Sequence, residues 1–322
     1  MNSSTTWPCA ALLNASLSSR TTLKIGGEVE VLLEPTDPEE LRLALVAAYE
    51  AGGPVRLLGG GANLLIEDGV LPGVVIATAR MRRIFRLGDR WEGDPYVREG
   101  ADSIEPEPET ATGLVAWSGA TLPGLVRTAY ELGWTGLEGL VGVPGHLGGG
   151  VTMNAGGRWG ELWDVIESVR VIDRSGEVHD LDKADCNPKY RNGNLGDQVV
   201  TGAVLRLEPA SKPEIFERMK TYLGEKKAAQ PVTESSSGCV FKNPDPELSE
   251  GRSAGLLVEQ AGAKGLQRGG AIVSPLHGNF ILNQGGATAK DVLNLIDDVI
   301  AIVADKTGIA LEREVQIWRR AE

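Results

Sequence analysis

The chain has 322 residues, 42% of them apolar and 24% charged, which suits two or three packed units and excludes wholesale disorder. A net charge of −12 makes nucleic acid a poor partner, so an anionic small substrate would need a local cluster of Lys and Arg. Three widely spaced cysteines (Cys9, Cys186, Cys239) and three histidines (His146, His179, His277), with no Cys-x-x-Cys pair, argue against a disulfide framework and against a metal site. The N-terminus lacks the basic and apolar stretches of a secretory signal, and no apolar run reaches the roughly 18 residues of a membrane span. The reading is a chain of the reducing cytoplasm with no membrane partner.

Residues 1–19 read as a polar lead-in. An apolar run over 29–33, ending before Pro35, predicts a strand. Asp37 then caps a helix, with Pro38 in its first turn, Glu40 at the capping-box position and Gly52 as its stop. A compact strand over 55–58 runs into Gly59-Gly60-Gly61-Ala62-Asn63, and another strand follows over 73–77. This β-α-β pattern with a glycine loop points to an α/β or α+β unit. An acidic, Pro-bearing stretch at about 88–112 reads as a solvated insertion.

A second helix spans 121–132 with Gly133 as its stop, and the densest glycine region follows at 136–160. Residues 169–173 and 177–181 predict a hairpin about Arg174-Ser175-Gly176. A strand over 199–207 precedes Pro209. Composition then changes: a charged amphipathic helix covers 213–227, and a helix capped by Thr288 runs to Gly308. A final strand is expected over 310–318. These features give a lead-in at 1–19, a first domain at 20–208 and a second at 209–322.

Two glycine segments carry the chemistry. In the first, Gly59, Gly60, Gly61, Ala62, Asn63 and Leu64 follow a strand, where glycines let backbone N–H groups approach a phosphate. It is neither a Walker A loop nor a GxGxxG fingerprint. The second runs from Gly136 to Gly157 and includes Pro144, Gly145, Gly148, Gly149, Met153, Asn154, Ala155 and Gly156. So much glycine is costly in backbone entropy, and close approach of the main chain to a large flat cofactor accounts for it.

These segments resemble the FAD-binding signatures of UDP-N-acetylenolpyruvoylglucosamine reductase, the MurB family. Leu23-Lys24-Ile25-Gly26-Gly27 is similar to the family's opening segment. Ser237-Gly238-Cys239-Val240-Phe241-Lys242-Asn243-Pro244 is similar to its catalytic loop. The runs 257–265 and 277–283 are similar to two C-terminal segments. The likeness extends in order over about residues 20 to 318.

The resemblance implies an α+β chain, with a PCMH-type (vanillyl-alcohol-oxidase-like) FAD-binding fold of two subdomains and a C-terminal α+β substrate domain. It implies non-covalent FAD, NADPH as hydride donor, and UDP-GlcNAc-enolpyruvate as substrate. The product would be UDP-N-acetylmuramate, a peptidoglycan precursor. Tyr190-Arg191 matches the family's Tyr-Arg pair, which makes Arg191 the catalytic cation, and Glu314 matches the catalytic glutamate. Cys239 stands where most members carry serine. As proton donor it departs in acidity, since a thiol at about 8.5 is far more acidic than a hydroxyl.

Tyr190, Lys227, Asn243 and Lys264 are the expected substrate contacts. The short stretch between Arg191 and Lys227 lacks the family's tyrosine-bearing insertion, so the chain resembles the shorter subtype. Two other readings are a different flavin oxidase of this fold, which would return electrons to oxygen, and a UDP-sugar-binding protein without turnover. The intact Arg191 and Glu314 argue against the second. Oligomeric state is left open by the sequence.

Overall fold

The computed structural model describes residues 6–87 and 112–320. The expected acidic insertion lies outside the described residues, apart from Thr112.

The expected lead-in holds a strand, β1 (Ala10–Ser16), whose side chains are almost all exposed. Without an inward face it leaves no alternation in the sequence, which is why it reads as irregular. After β2 (Glu28–Glu34) comes α1 (Pro38–Glu50). Asp37 caps it as expected, accepting the Glu40 N–H at 2.8 Å. Glu40 does not complete a capping box with Asp37. Its carboxylate reaches one residue further, to the N–H and hydroxyl of Thr36 at 2.8 and 2.9 Å. Next come β3 (Val55–Leu58), β4 (Leu64–Ile66), β5 (Val70–Ala77), β6 (Ile84–Arg86) and β7 (Gly113–Trp117). β1, β2, β5 and β3 form one sheet in that order.

Helix α2 (Leu122–Leu132) runs between the Thr121 cap and a left-handed Gly133. The short α3 (Leu147–Thr152) lies within the second glycine segment. The expected hairpin is β8 (Ile166–Ile172) with β9 (Val178–Asp182), and β10 (Val199–Arg206) follows. Then come α4 (Lys212–Ala229), β11 (Ser236–Cys239) and α5 (Ala254–Gln260). The strands β12 (Gln267–Arg268), β13 (Ala271–Val273) and β14 (Phe280–Asn283) precede α6 (Ala289–Thr307). Thr288 and Asp291 close a capping box on α6, and Gly308 ends it in the left-handed region.

The last strand is shorter than expected, β15 (Gln316–Trp318). It pairs in parallel with β4. Residues 312–314 spend their backbone elsewhere. Lys242 N–H donates to Glu312 O at 2.9 Å and Glu314 N–H to Val240 O at 2.8 Å.

The described residues divide into two compact units. The first comprises Leu32–Gly60 and Val74–Gly224 with the chain start up to Leu12. The second comprises Leu13–Val31, Gly61–Gly73 and Glu225–Glu322. Two early segments, Leu13–Val31 and Gly61–Gly73, thus pack with the C-terminal part. The first unit holds an antiparallel sheet of order β9-β8-β10-β7-β6. Its core takes Leu125 and Val126 of α2, Leu147 and Val151 of α3, Trp163, Val169 and Leu205. The second unit holds an antiparallel sheet of order β11-β14-β13-β12. Here α6 buries Val292, Leu295, Ile296, Val299 and Val303. Each such side chain contributes about 1.5–3 kcal/mol by leaving water.

The α+β class expected from the sequence is the class observed. Among the described residues, no helix is long and apolar enough to cross a membrane.

Candidate active site

In the first unit the two glycine segments touch. A Cβ on Gly60 would stand 2.8 Å from the Gly145 Cα and 3.1 Å from the His146 ring. Glycine at 60 is therefore demanded by the protein's own backbone, a reason the sequence alone does not reveal. Gly59 and Gly149 differ. A Cβ on Gly59 would meet nothing nearer than the His146 Cβ at 3.8 Å, and one on Gly149 would meet nothing within 4 Å. Packing does not require glycine at either place, and both leave bare main chain open to a ligand. That is the fit a large cofactor needs.

The backbone at His146 is held on both sides. Leu122 N–H donates to Gly145 O at 3.0 Å, and Leu147 N–H donates to Ala120 O at 2.8 Å. Gly148 packs on Ser118, and its N–H donates to Ser118 O at 2.8 Å. Burial, helped by the Arg82 charge, holds the His146 imidazole below its ordinary pKa. Pro144 is exposed, and Met153 is half-buried.

Asn154 is buried in the left-handed region, at φ 44°. Its amide is spent inside the unit. It donates to Glu161 Oε2 at 2.7 Å and Lys189 O at 3.2 Å, and it accepts from Trp163 N–H at 3.3 Å. Any contribution of Asn154 to a ligand site is through its main chain. Ala155 N–H donates to Gly150 O at 2.8 Å, which closes the turn.

Arg191 sits beside this turn. Lys189 and Asn192 exchange N–H···O bonds of 2.7 and 3.0 Å around it, and Arg191 takes φ 55° at the tip. Its Nη2 donates to Gly156 O at 3.3 Å, and its guanidinium lies 4.9 Å from the Tyr190 ring centroid. Gly193 N–H donates to Thr152 O at 2.8 Å. The structure thus joins the Tyr190-Arg191 pair to the end of the second glycine segment.

The second unit gathers the other expected residues. Gly61 has φ 59°, and a Cβ there would stand 2.3 Å from Arg20 O, so packing fixes this glycine too. Asn63 donates from Nδ2 to Glu314 O at 3.1 Å, and its own carbonyl accepts the Gln316 N–H at 3.0 Å. Leu64 is buried in β4 opposite Gln316. Cys239 ends β11 opposite Phe280, directly after Gly238 at φ 77°. Glu314 is 9% exposed, and its N–H donates to the carbonyl of Val240, the neighbour of Cys239. Asn63, Cys239 and Glu314, far apart in sequence, therefore share one backbone network.

Three buried or bridging residues of this unit were missed by sequence reasoning. Thr22 ties the glycine loop to β11: its N–H donates to Gly61 O at 3.1 Å and its hydroxyl to Ser236 O at 2.7 Å. Asn279 clamps the loop after Cys239, accepting the Phe241 N–H and donating to the Phe241 carbonyl. Lys226 is buried, and burial pushes its ammonium pKa down to about 8. Lys227, the lysine expected to meet substrate, is exposed. The heptad-like spacing of Ile215, Met219, Tyr222 and Lys226 on α4 could have flagged the buried one. Tyr222 on that face stacks on Trp159 at 5.2 Å.

Asn243 accepts the Ala254 N–H at 3.0 Å, which caps the start of α5. Lys264 pairs with Glu259 at 3.2 Å. Among the described residues, Asp173, Glu177 and His179 bring potential ligand atoms within 4.8 Å of one another. Asp173 there builds the hairpin turn, accepting from the N–H groups of Ser175 and Glu177.

Comparison with known proteins bears on both units. Residues 29–182 match an FAD binding domain, and residues 230–318 match the C-terminal domain of UDP-N-acetylenolpyruvoylglucosamine reductase. The chain is 38% identical to the UDP-N-acetylenolpyruvoylglucosamine reductase of Moorella thermoacetica, over 95% of this chain and 93% of the relative. It is 37% identical to that of Deinococcus radiodurans, over 94% of each chain. The crystal structure of the Thermus caldophilus enzyme matches with a TM-score of 0.75 and 34% identity, covering 96% of this chain and 98% of that one. The chain belongs to the UDP-N-acetylenolpyruvoylglucosamine reductase family.

Proposed function

We propose that this enzyme reduces the enolpyruvyl ether of UDP-N-acetylglucosamine to UDP-N-acetylmuramate, with Arg191, Cys239 and Glu314 as its catalytic residues. FAD, when bound, would supply the redox chemistry between NADPH and the terminal enolpyruvyl carbon. The backbone faces at Gly59 and Gly149 would hold it, with the rest of the two glycine segments around them.

The reaction leaves negative charge on the substrate's carboxylate side. The Arg191 guanidinium stabilises that charge, and a protonated Glu314 carboxyl donates a hydrogen bond to it. The Cys239 Sγ–H then gives its proton to the carbon next to the carboxylate. Tyr190, Lys227, Asn243 and Lys264 hold the UDP-sugar. Among the described residues no disulfide joins the three cysteines, which suits a reducing cytoplasm.

One observation carries the assignment of roles: Glu314 is bonded through its N–H to the residue after Cys239. A carboxyl and a thiol on two backbone stretches tied by that bond suit proton delivery beside a developing charge. The test is anaerobic half-reaction spectroscopy of Glu314→Gln. It should leave bleaching by NADPH intact and slow recovery by the enolpyruvyl sugar. Normal recovery would remove Glu314 from the mechanism.

A further inference from the structure

The second glycine segment contains one titratable ring, His146, to which the proposed reaction gives no task. Its Nδ1 is buried and has no hydrogen-bond partner among the described residues. Buried polar atoms are nearly always paired, and an orphan of this kind calls for an explanation. The ring packs against Gly60, and the nearest neighbour of a Cβ on Gly59 would be the His146 Cβ. Gly149, three residues on, leaves its main chain open. The His146 side chain is therefore carried beside Gly59 and Gly60, three residues before the open main chain of Gly149. Backbone hydrogen bonds at Gly145 and Leu147 fix where the ring is carried.

We propose that His146 is a cofactor-binding residue, whose Nδ1 hydrogen-bonds a polar atom of FAD. The inference rests on the FAD reading and adds a side-chain contact to a site otherwise built of main chain. The burial and the Arg82 charge that disfavour the imidazolium give a neutral ring, with one nitrogen donating and the other accepting. FAD offers both kinds of partner.

The test is titration of the apoprotein with FAD, followed by flavin fluorescence, beside urea denaturation of the apoprotein. His146→Ala should weaken FAD binding about tenfold, the loss expected for one net hydrogen bond. His146→Asn, whose amide reaches the position of Nδ1, should bind within about threefold of wild type, well inside that loss. Any stability that the His146→Ala apoprotein loses with the packing of the ring should be shared by His146→Asn, because the orphan nitrogen bonds nothing in the protein. Unchanged FAD affinity in His146→Ala, or a loss confined to apoprotein stability, would overturn the inference. Wild type that takes up no FAD would instead fail the reading on which it rests.

Discussion

Asn279 is the side chain on which the geometry at Cys239 most depends. It is 3% exposed, and its amide behaves as an extra peptide group at the end of β14. Oδ1 accepts the N–H groups of Val240 and Phe241 at 3.1 and 2.8 Å, and Nδ2 donates to Phe241 O at 2.8 Å. Val240 N–H has a second acceptor in Asn279 O at 2.9 Å. Among the described residues Phe241 has no such reserve. It faces Arg313 in an antiparallel bridge whose bonds are made by its neighbours Val240 and Lys242.

Asn279→Ala therefore strands two buried backbone groups, the N–H and C=O of Phe241. At about 1–3 kcal/mol each, the loss is about 2–6 kcal/mol of stability. Urea unfolding at pH 7 reads that loss. Anaerobic mixing of the reduced enzyme with the enolpyruvyl sugar reads the displacement of Cys239 as slower reoxidation. Asn279→Asp, which keeps the acceptor and loses the donor, should fall between the two. If Asn279→Ala unfolds within about 0.5 kcal/mol of wild type, the clamp is not what holds the loop.

Three further predictions follow from the same structure. Cys239→Ala should keep flavin reduction by NADPH and slow sugar-dependent reoxidation by about 10²–10⁴-fold, the range for a lost general acid. Collapse of the first half-reaction alone would refute its role. Lys227→Ala should raise KM for the sugar with flavin reduction unchanged, and an unchanged KM would return it to a surface cation. Glu138 is the pH-sensitive case. Burial alone would raise its pKa, but bonds from Thr135, the Gly136 N–H and Arg218 outweigh burial and hold it below the ordinary value. Its depressed pKa gives stability that is present above pH about 4.5 and lost as pH falls through the folded value. The urea-midpoint gap between wild type and Glu138→Gln should therefore be steady near neutrality and narrow in acid. A gap that widens in acid would reverse the assignment.

Local signals carried most of the secondary structure. The Asp37, Thr121 and Thr288 caps and the Gly133 and Gly308 stops each depend on a few adjacent residues, so they can be read directly. What adjacent residues do not reveal is set by distant partners. The final strand shrinks to 316–318 because Glu312 and Glu314 bond the loop after Cys239. Gly60 and Gly61 read as phosphate-cradling positions, yet their want of a side chain is imposed by Gly145 and Arg20. Lys226 and Lys227 are indistinguishable as letters, and only the packing of α4 tells which is buried. The division near residue 208 followed a change in composition, whereas the packing gathers Leu13–Val31 and Gly61–Gly73 with the C-terminal part. The candidate site residues came from ordered resemblance, since no single Arg, Cys or Glu announces a role on its own.

The central claim is a two-step hydride relay that ends on the enolpyruvyl sugar. An anaerobic absorbance scan of the purified protein, with NADPH added first and UDP-GlcNAc-enolpyruvate second, tests it most directly. The account predicts a flavin band that bleaches with NADPH and recovers with the sugar. A bleached band that ignores the sugar and recovers only with oxygen would contradict it and mark the chain as an oxidase of the same fold.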